Sequence, residues 1–302
     1  MAQTTLFGNE TAIALPGPES DSARGRRLIF VRRCVSDRTL VTGTLIVLTF
    51  VIAALAAPLI TSHDPTEVDA LAILAPPSPE HWLGTDNIGR DIFSRLVYGA
   101  RWSLGASVLA ATAIVVVGVT LGVIAGYFGG LIDDLLMRLV DVLLAFPSLV
   151  LALAIVGTLG PSLRNVLIGM VAVWWVDYAR VMRGLTVGVR EREFVAAAHC
   201  LGASSPRVML RHILPNVVPS VIVLATLELG GLMLAISGLS FLGLGAQPPT
   251  PEWGTMLNDG RLFFQRAPQL MLYPGLAITL VVVGCNLVGD GLRDALDPRL
   301  KR

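Results

Sequence analysis

The chain has 302 residues, of which 54% are hydrophobic and only 15% charged. That balance is too apolar for an ordinary soluble domain and fits a chain that crosses a bilayer several times. The formal net charge of +1 gives no bulk attraction to nucleic acid, and Cys34, Cys200 and Cys285 are scattered without disulfide or metal-binding spacing.

Residues 1–27 are polar and weakly patterned, and read as a disordered tail. No apolar run directly follows a short basic start, so the pattern of a signal peptide is missing. A tail of residues 1–37 is expected before a six-span domain over 38–302. The cluster Arg24, Arg26, Arg27, Arg32, Arg33 and Arg38 precedes the first apolar run, Thr39–Ile60. That run is long enough to span, and the cluster places the N-terminus in the cytoplasm. Thr61–Arg101 is a proline-rich polar connection whose end, from Asp91 to Leu104, has helical spacing and leads into the second span, Trp102–Tyr127. Gly105, Gly118, Gly122 and Gly126 there include small-xxx-small spacing, which suits close helix packing. Phe128–Arg138 reads as a short turn, Leu135–Gly157 as a third span kinked at Pro147, and Val166–Ala179 as a short fourth span extended at its ends. A polar island, Arg180–Asn216, follows. Val217–Leu244 is the fifth span, Gly245–Gln269 a proline-rich loop and Leu270–Val288 the sixth span.

The expected fold is therefore an all-α membrane protein with six transmembrane helices and both termini on one side. Basic residues support this: 17 fall on the expected cytoplasmic side and 6 on the other. Arg90, Arg95 and Arg101 cut against the bias. No internal repeat divides the chain into two related halves, so a route across the membrane would need a second subunit.

The island carries Arg180, Arg183, Arg190, Arg192, Arg207 and Arg211 with Glu191 and Glu193. Two helical stretches, Arg190–Leu201 and Pro206–Ile213, are split by Gly202-Ala203-Ser204-Ser205. Gly202 suits the end of the first, Ser204 or Ser205 the cap of the second and Pro206 its first turn. The island is either a solvated loop between spans or a rigid helical foot that a soluble partner pushes.

Ala196-Ala197-Ala198, then Gly202, then Ile213-Leu214-Pro215 resembles the "EAA" loop of permease subunits of bacterial ABC importers. The stretches HWLGTDNIGRDIFSRLVYGAR (81–101), REFVAAAHCLGASSPRVMLRHILPN (192–216), SFLGLGAQPPTPEWGTMLNDGR (240–261) and NLVGDGLRDALDPRL (286–300) resemble the second permease of dipeptide, oligopeptide and nickel importers. The resemblance covers roughly residues 35–300, with a core transmembrane region of about 101–291 and the loop at 186–216. It implies the type I importer permease fold in a bacterial cytoplasmic membrane and a cytoplasmic coupling helix. The implied partners are a sister permease in a heterodimer, two ABC ATPase subunits, an extracytoplasmic substrate-binding protein and the lipid bilayer, with no nucleic acid. It also implies a coupling surface of Glu193, Ala196, Ala197, Ala198, Gly202, Ala203, Ser204, Pro206, Arg207, Ile213, Leu214 and Pro215. The Glu that names the motif falls at Ala196 here, and Glu193, one turn earlier, is the candidate substitute. Arg207 and Arg211 either pair with acids on a partner or face water and headgroups.

The only lysine is Lys301. A P-loop requires a lysine on the nucleotide phosphates, so this chain is expected to bind no cofactor, with ATP and Mg on partner ATPase subunits. Glu228 sits near the middle of the fifth span, where a charge costs about 2.5–3.5 kcal/mol on insertion scales. It either lines a pathway and attracts a peptide ammonium or metal cation, or is a structural acid packed against the sister subunit. Asp177 is expected near the end of the fourth span, at the pathway or merely at the interface. Arg138 and Asp141 are spaced to pair. Glu252 and Trp253 look like docking or gating elements on the outer side, although an interfacial Trp needs no function. His63, His81, His199 and His212 are not spaced as a metal site, so no metal ligand is expected. A peptide importer permease is the leading reading and a nickel or chelated-metal importer of the same family the alternative. A membrane enzyme lacks any H-E-x-x-H or G-x-S-x-G pattern, and an autonomous carrier lacks inverted repeats.

Overall fold

The computed structural model describes residues 37–296, and its first described residue opens the first helix. The Asp37 carboxylate accepts a hydrogen bond from the Leu40 N–H at 2.9 Å, satisfying one of the donors that a helix start leaves free. Helix α1 runs Arg38–Leu55 and a short turn of helix, α2, runs Ala57–Ile60. The expected tail and most of the N-terminal arginine cluster lie outside the described residues, as do residues 297–302 of the C-terminal stretch.

The expected lead-in and second span are one helix. α3 spans Ile92–Phe128 and is capped by Asp91, whose carboxylate accepts from the Ser94 N–H at 2.7 Å. Its 37 residues reach about 55 Å at 1.5 Å per residue. That exceeds a hydrocarbon core of about 30 Å, so α3 carries structure at both of its ends. It stops at Gly129 and Gly130, both at positive φ (+66° and +55°), where a side chain would be strained. The expected turn over Phe128–Arg138 therefore shrinks to this glycine pair, because α4 begins at once and runs Gly130–Leu144.

The kink expected at Pro147 is a full break. α5 runs Ser148–Leu159 and lies at 87° to α4. Proline bars Phe146 from helical backbone and has no N–H of its own to continue the ladder. α6, Leu163–Arg190, extends the expected fourth span at both ends. α7 is Glu193–Cys200 and α8 is Ser205–Val208; a π-helical turn, Met209–Ile213, joins α8 to α9, Leu214–Phe241. The Leu214 N–H reaches back to Met209 O. Pro215 follows without an N–H to offer Arg211 O, so the ladder slips register there. α10 is Trp253–Gly260 and α11 is Gln269–Leu296. Among the described residues, five helical runs are long and apolar enough to cross a membrane, and six if the bent α4–α5 pair counts as one span.

α3 and α6 form the largest helix contact. A Cβ on Gly118 would stand 2.5 Å from Tyr178 Cβ, one on Gly122 2.5 Å from Ala179 O, and one on Gly126 2.7 Å from Arg183 O. The expected glycine seam is thus real at three positions, while Gly105 has nothing within 4 Å. The core beside it joins α3, α5, α6 and α9 through Ile114, Val156, Met170 and Ile236. Leucines and valines such as Leu45, Leu109 and Leu234 face outward, as lipid-facing residues do.

Gly122→Val is expected to lower stability in detergent by about 1–3 kcal/mol, the usual range for overpacking, because the blocking atoms belong to the α6 backbone. Gly105→Ala is expected to be neutral or slightly stabilising. Thermal melting of the purified protein checks both; equal melting temperatures for the two variants would contradict the seam.

Candidate functional site

Three groups of polar residues interrupt the apolar bundle. The first is the foot at the C-terminal end of α6. The expected first helix of the island splits, since Arg190 ends α6 and α7 starts only at Glu193. The α7 end is a Schellman turn: the Gly202 N–H donates to His199 O at 2.9 Å and the Ala203 N–H to Ala198 O at 3.0 Å. Gly202 sits at φ +78° with open space around it, so conformation rather than crowding calls for glycine there. Ser204 occupies the cap position of α8 without a side-chain hydrogen bond, and Pro206 lies in its first turn.

The foot has two faces. Val195, Ala198, Val208 and Ile213 are buried against Val123, Tyr127, Met182 and Val189 of α3 and α6. Each fully buried valine or isoleucine contributes about 1.5–3 kcal/mol. His199 stacks on Tyr127 with ring centroids 6.1 Å apart, and Arg190 donates to Tyr127 O at 2.9 Å. Glu193, Ala196, Ala197, Ser204, Pro206, Arg207 and Pro215 are exposed. Ala198 and Ile213, expected on the coupling surface, instead anchor it, while Ala203 and Leu214 are half-buried at its edge. Sequence reasoning missed the apolar part of the outward face: Leu201 is 88% exposed and Leu210 65%. Phe194 is exposed as well. Spacing alone does not mark them, since Phe194 and Leu210 stand next to the apolar residues Val195 and Met209 in the chain.

The arginines at the root of the foot are partnered. Arg183 grips Asp133 of α4 through Nε to Oδ1 at 2.9 Å and Nη2 to Oδ2 at 2.6 Å. Arg180 bonds Asp141, so the pair expected between Arg138 and Asp141 is replaced by one between helices. These bonds let α6 stay helical through sequence that looks too polar for a span.

The second group lies in the middle of the bundle. Asp177 is at the midpoint of α6 rather than near its end, because the helix continues to Arg190. Glu228 of α9 and Asp177 lie within Coulombic reach of each other and of the buried Tyr178. Asp177 is exposed and Glu228 half-buried on the surface of this single chain.

The third group caps the opposite end. Glu252 and Trp253 are both 0% exposed, so neither offers a surface to dock on. The Glu252 carboxylate caps α10, accepting from the N–H groups of Gly254 and Thr255 at 2.9 Å each and from the Ser103 hydroxyl at 3.2 Å. The Trp253 indole donates to Leu96 O at 2.9 Å. Beside them, Arg90 donates to Asp86 at 2.6 Å and Arg95 lies 3.7 Å from Asp259. Arg95, 2% exposed, also donates to Pro65 O and Pro249 O, so one guanidinium joins three distant segments. Arg101 donates to Ala54 O at 2.7 Å, at the carbonyl end of α1 where a cation is favoured. In segment 61–91, the Thr66 hydroxyl and N–H hold the Asp64 carboxyl below its usual range. His63 and His81, whose spacing in the chain did not read as a metal site, stand with ring centroids 4.7 Å apart; sequence distance concealed the pair.

Known proteins match this sequence. The family model described as "Binding-protein-dependent transport system inner membrane component" matches residues 118–302, and that of the N-terminal transmembrane domain of oligopeptide transport permease C matches residues 28–77. The chain is 49% identical over 265 residues to the dipeptide transport system permease protein DppC of Alkalihalophilus pseudofirmus, covering 88% of this chain and 87% of that one. It is 44% identical over 255 residues to the nickel transport system permease protein NikC of Escherichia coli, covering 83% and 92%. It is 43% identical over 289 residues to the glutathione transport system permease protein GsiD of Escherichia coli, covering 95% of each. The chain belongs to the inner-membrane permeases of binding-protein-dependent ABC importers, with the type I permease fold.

Two stability outcomes follow from the local geometry. Gly202→Ala is expected to cost about 1–2 kcal/mol from left-handed strain, whereas Gly184→Ala, in open space within α6, costs nothing. Glu252→Ala is expected to cost about 1–2 kcal/mol by removing the cap, and Glu252→Gln less. Melting temperatures rank the four variants.

Proposed function

We propose that this chain is a non-catalytic permease subunit that moves di- or oligopeptides inward across the cytoplasmic membrane. A sister permease completes the pathway, two ATPase subunits bind ATP and Mg, and an extracytoplasmic binding protein delivers the substrate. The foot faces the cytoplasm with both termini, and the Glu252 end faces outward. The single observation that carries the coupling role is the two-faced foot. Its inner face is packed into α3 and α6, while α7 and its C-terminal cap expose a patch of Ala196 and Ala197 together with Phe194 and Leu201. Small residues on a helix that also exposes large apolar ones suit insertion into a protein cleft, and such apolar surface left isolated would be a liability. Glu193 shares that patch and supplies the acid missing at Ala196.

The peptide reading is supported by the dipeptide and glutathione relatives and by the paired acids. Asp177 and Glu228 would favour the ammonium of a peptide where little water screens it. The nickel relative supports the second reading, in which the cargo is nickel or a chelated metal.

In proteoliposomes holding the complete importer and its binding protein, Ala197→Trp is expected to leave the complex assembled while abolishing substrate-stimulated ATP hydrolysis. Normal coupling in that variant would overturn the role of the foot. Glu228→Gln is expected to lower labelled dipeptide uptake about tenfold, equivalent to about 1.4 kcal/mol of lost attraction. Uptake of radioactive nickel in place of dipeptide by the unaltered importer would replace the first reading with the second.

A further inference from the structure

Segment 61–91 brings together side chains that neither the coupling foot nor the intramembrane acids use. His63 and His81 have ring centroids 4.7 Å apart with planes inclined at 34°. His81 Nδ1 is 3.0 Å from Asp91 Oδ1, and His63 Nδ1 is 3.1 Å from Ser62 Oγ. One donor atom from each of His63, His81 and Asp91 lies within 4.8 Å of the other two. The three line a cavity of about 180 Å3 with Asp64, Glu67, Asp69 and Glu80.

Core packing does not account for this cluster. The rings meet at the wall of a polar cavity, and its lining holds carboxylates but neither arginine nor lysine. Two apposed imidazoles in a negative field have one chemistry in common with the carboxylates around them: all are electron-pair donors to a cation. The donor set also restricts the cation. Imidazole pairs favour zinc, nickel or copper, whereas magnesium and calcium prefer oxygen alone.

We propose that His63, His81 and Asp91 form a site for one divalent transition-metal ion of the zinc or nickel class. Donors held by such an ion at about 2.1 Å stand about 3–4 Å apart, so binding needs only a small contraction, which His63, in the loop, can supply. His81 Nδ1 and Asp91 Oδ1, 3.0 Å apart, already stand at the separation of two donors on one ion, so the ion would replace the proton between them and take both as ligands. Asp91 also caps α3, and its neighbours Arg90 and Arg95 reach Asp259 near the end of α10. A bound ion would therefore tie the start of the segment to a cap already fastened on its other side. The site rests on this loop geometry alone and holds whether the transported cargo is a peptide or a metal.

The test uses the complete importer, nucleotide-free, in nanodiscs and without a polyhistidine tag. It is incubated with zinc, nickel or magnesium chloride, desalted, and its metal content measured by mass spectrometry. The unaltered importer is expected to retain one more equivalent of zinc or nickel than His63→Ala or the His63→Ala/His81→Ala pair, with no such difference for magnesium. Comparing variants removes any metal held by partner subunits. Cobalt is expected to give a visible absorption band that His63→Ala abolishes. His63 is only half-buried in a loop, so its variant is expected to melt at the unaltered temperature in chelator, and zinc is expected to raise only the unaltered protein's melting point. Equal zinc and nickel retention by the unaltered and variant importers, or an unchanged cobalt band in His63→Ala, overturns the site.

Discussion

The approach of α3 to α6 is close enough that a methyl group cannot enter between them at Gly118, Gly122 or Gly126. Helix association within lipid gains little from apolar burial, because the surroundings are equally apolar; it depends on packing and on backbones drawn near. This seam fixes two of the longest helices along a common line. At one end, residues of both helices receive Val195, Val208 and Ile213 of the foot. At the other, the α3 start carries Asp91 and Arg95 into the outer cap. In the proposed transport cycle, a displacement of the foot is a displacement of this pair, because the foot's buried face leaves it no independent path.

The arginines obey a similar economy. A guanidinium that stays charged must find acceptors wherever it is buried. Arg183 and Arg180 stay largely in solvent yet bond Asp133 and Asp141 on α4, where α6 extends past the point at which its composition stops resembling a span. Arg90 and Arg95 find Asp86 and Asp259, and Arg101 the carbonyl end of α1. In the proposed orientation these three arginines are the exceptions to the positive-inside tendency. That tendency concerns charges near the ends of spans, and two of these charges are neutralised inside a folded cap.

The long spans, the polar island and the glycine seam were legible in the sequence because each is a local pattern: an apolar run, a break in one, a spacing of four. The Gly202 turn was legible for the same reason. What failed was whatever depended on a partner far along the chain. Asp141 was matched with its neighbour Arg138 because spacing was the only information, whereas the fold supplies Arg180. Pro147 read as a kink because nothing in the local sequence tells a bent span from two helices at 87°. Glu252 and Trp253 looked like surface elements in a proline-rich loop, and burial against Ser103 and Leu96 of α3 has no signature within that loop. His63 and His81 belong to the same class of miss.

The departure at Ala196 becomes intelligible once the foot's two faces are separated. Residues 195 and 198 are buried and 193, 196 and 197 exposed, so the inner face needs apolar volume while the outer face is constrained only by what docks there. Alanine at 196 changes nothing in the packing that holds the foot to α3 and α6. In the proposed coupling role the acidic group is Glu193, one turn earlier on the same exposed face, at the start of α7 where a carboxylate is favoured by the helix dipole. On that proposal, alanine at 196 leaves the mounting of the foot intact and alters only the charge pattern it presents, a feature that a matched partner surface would have to share.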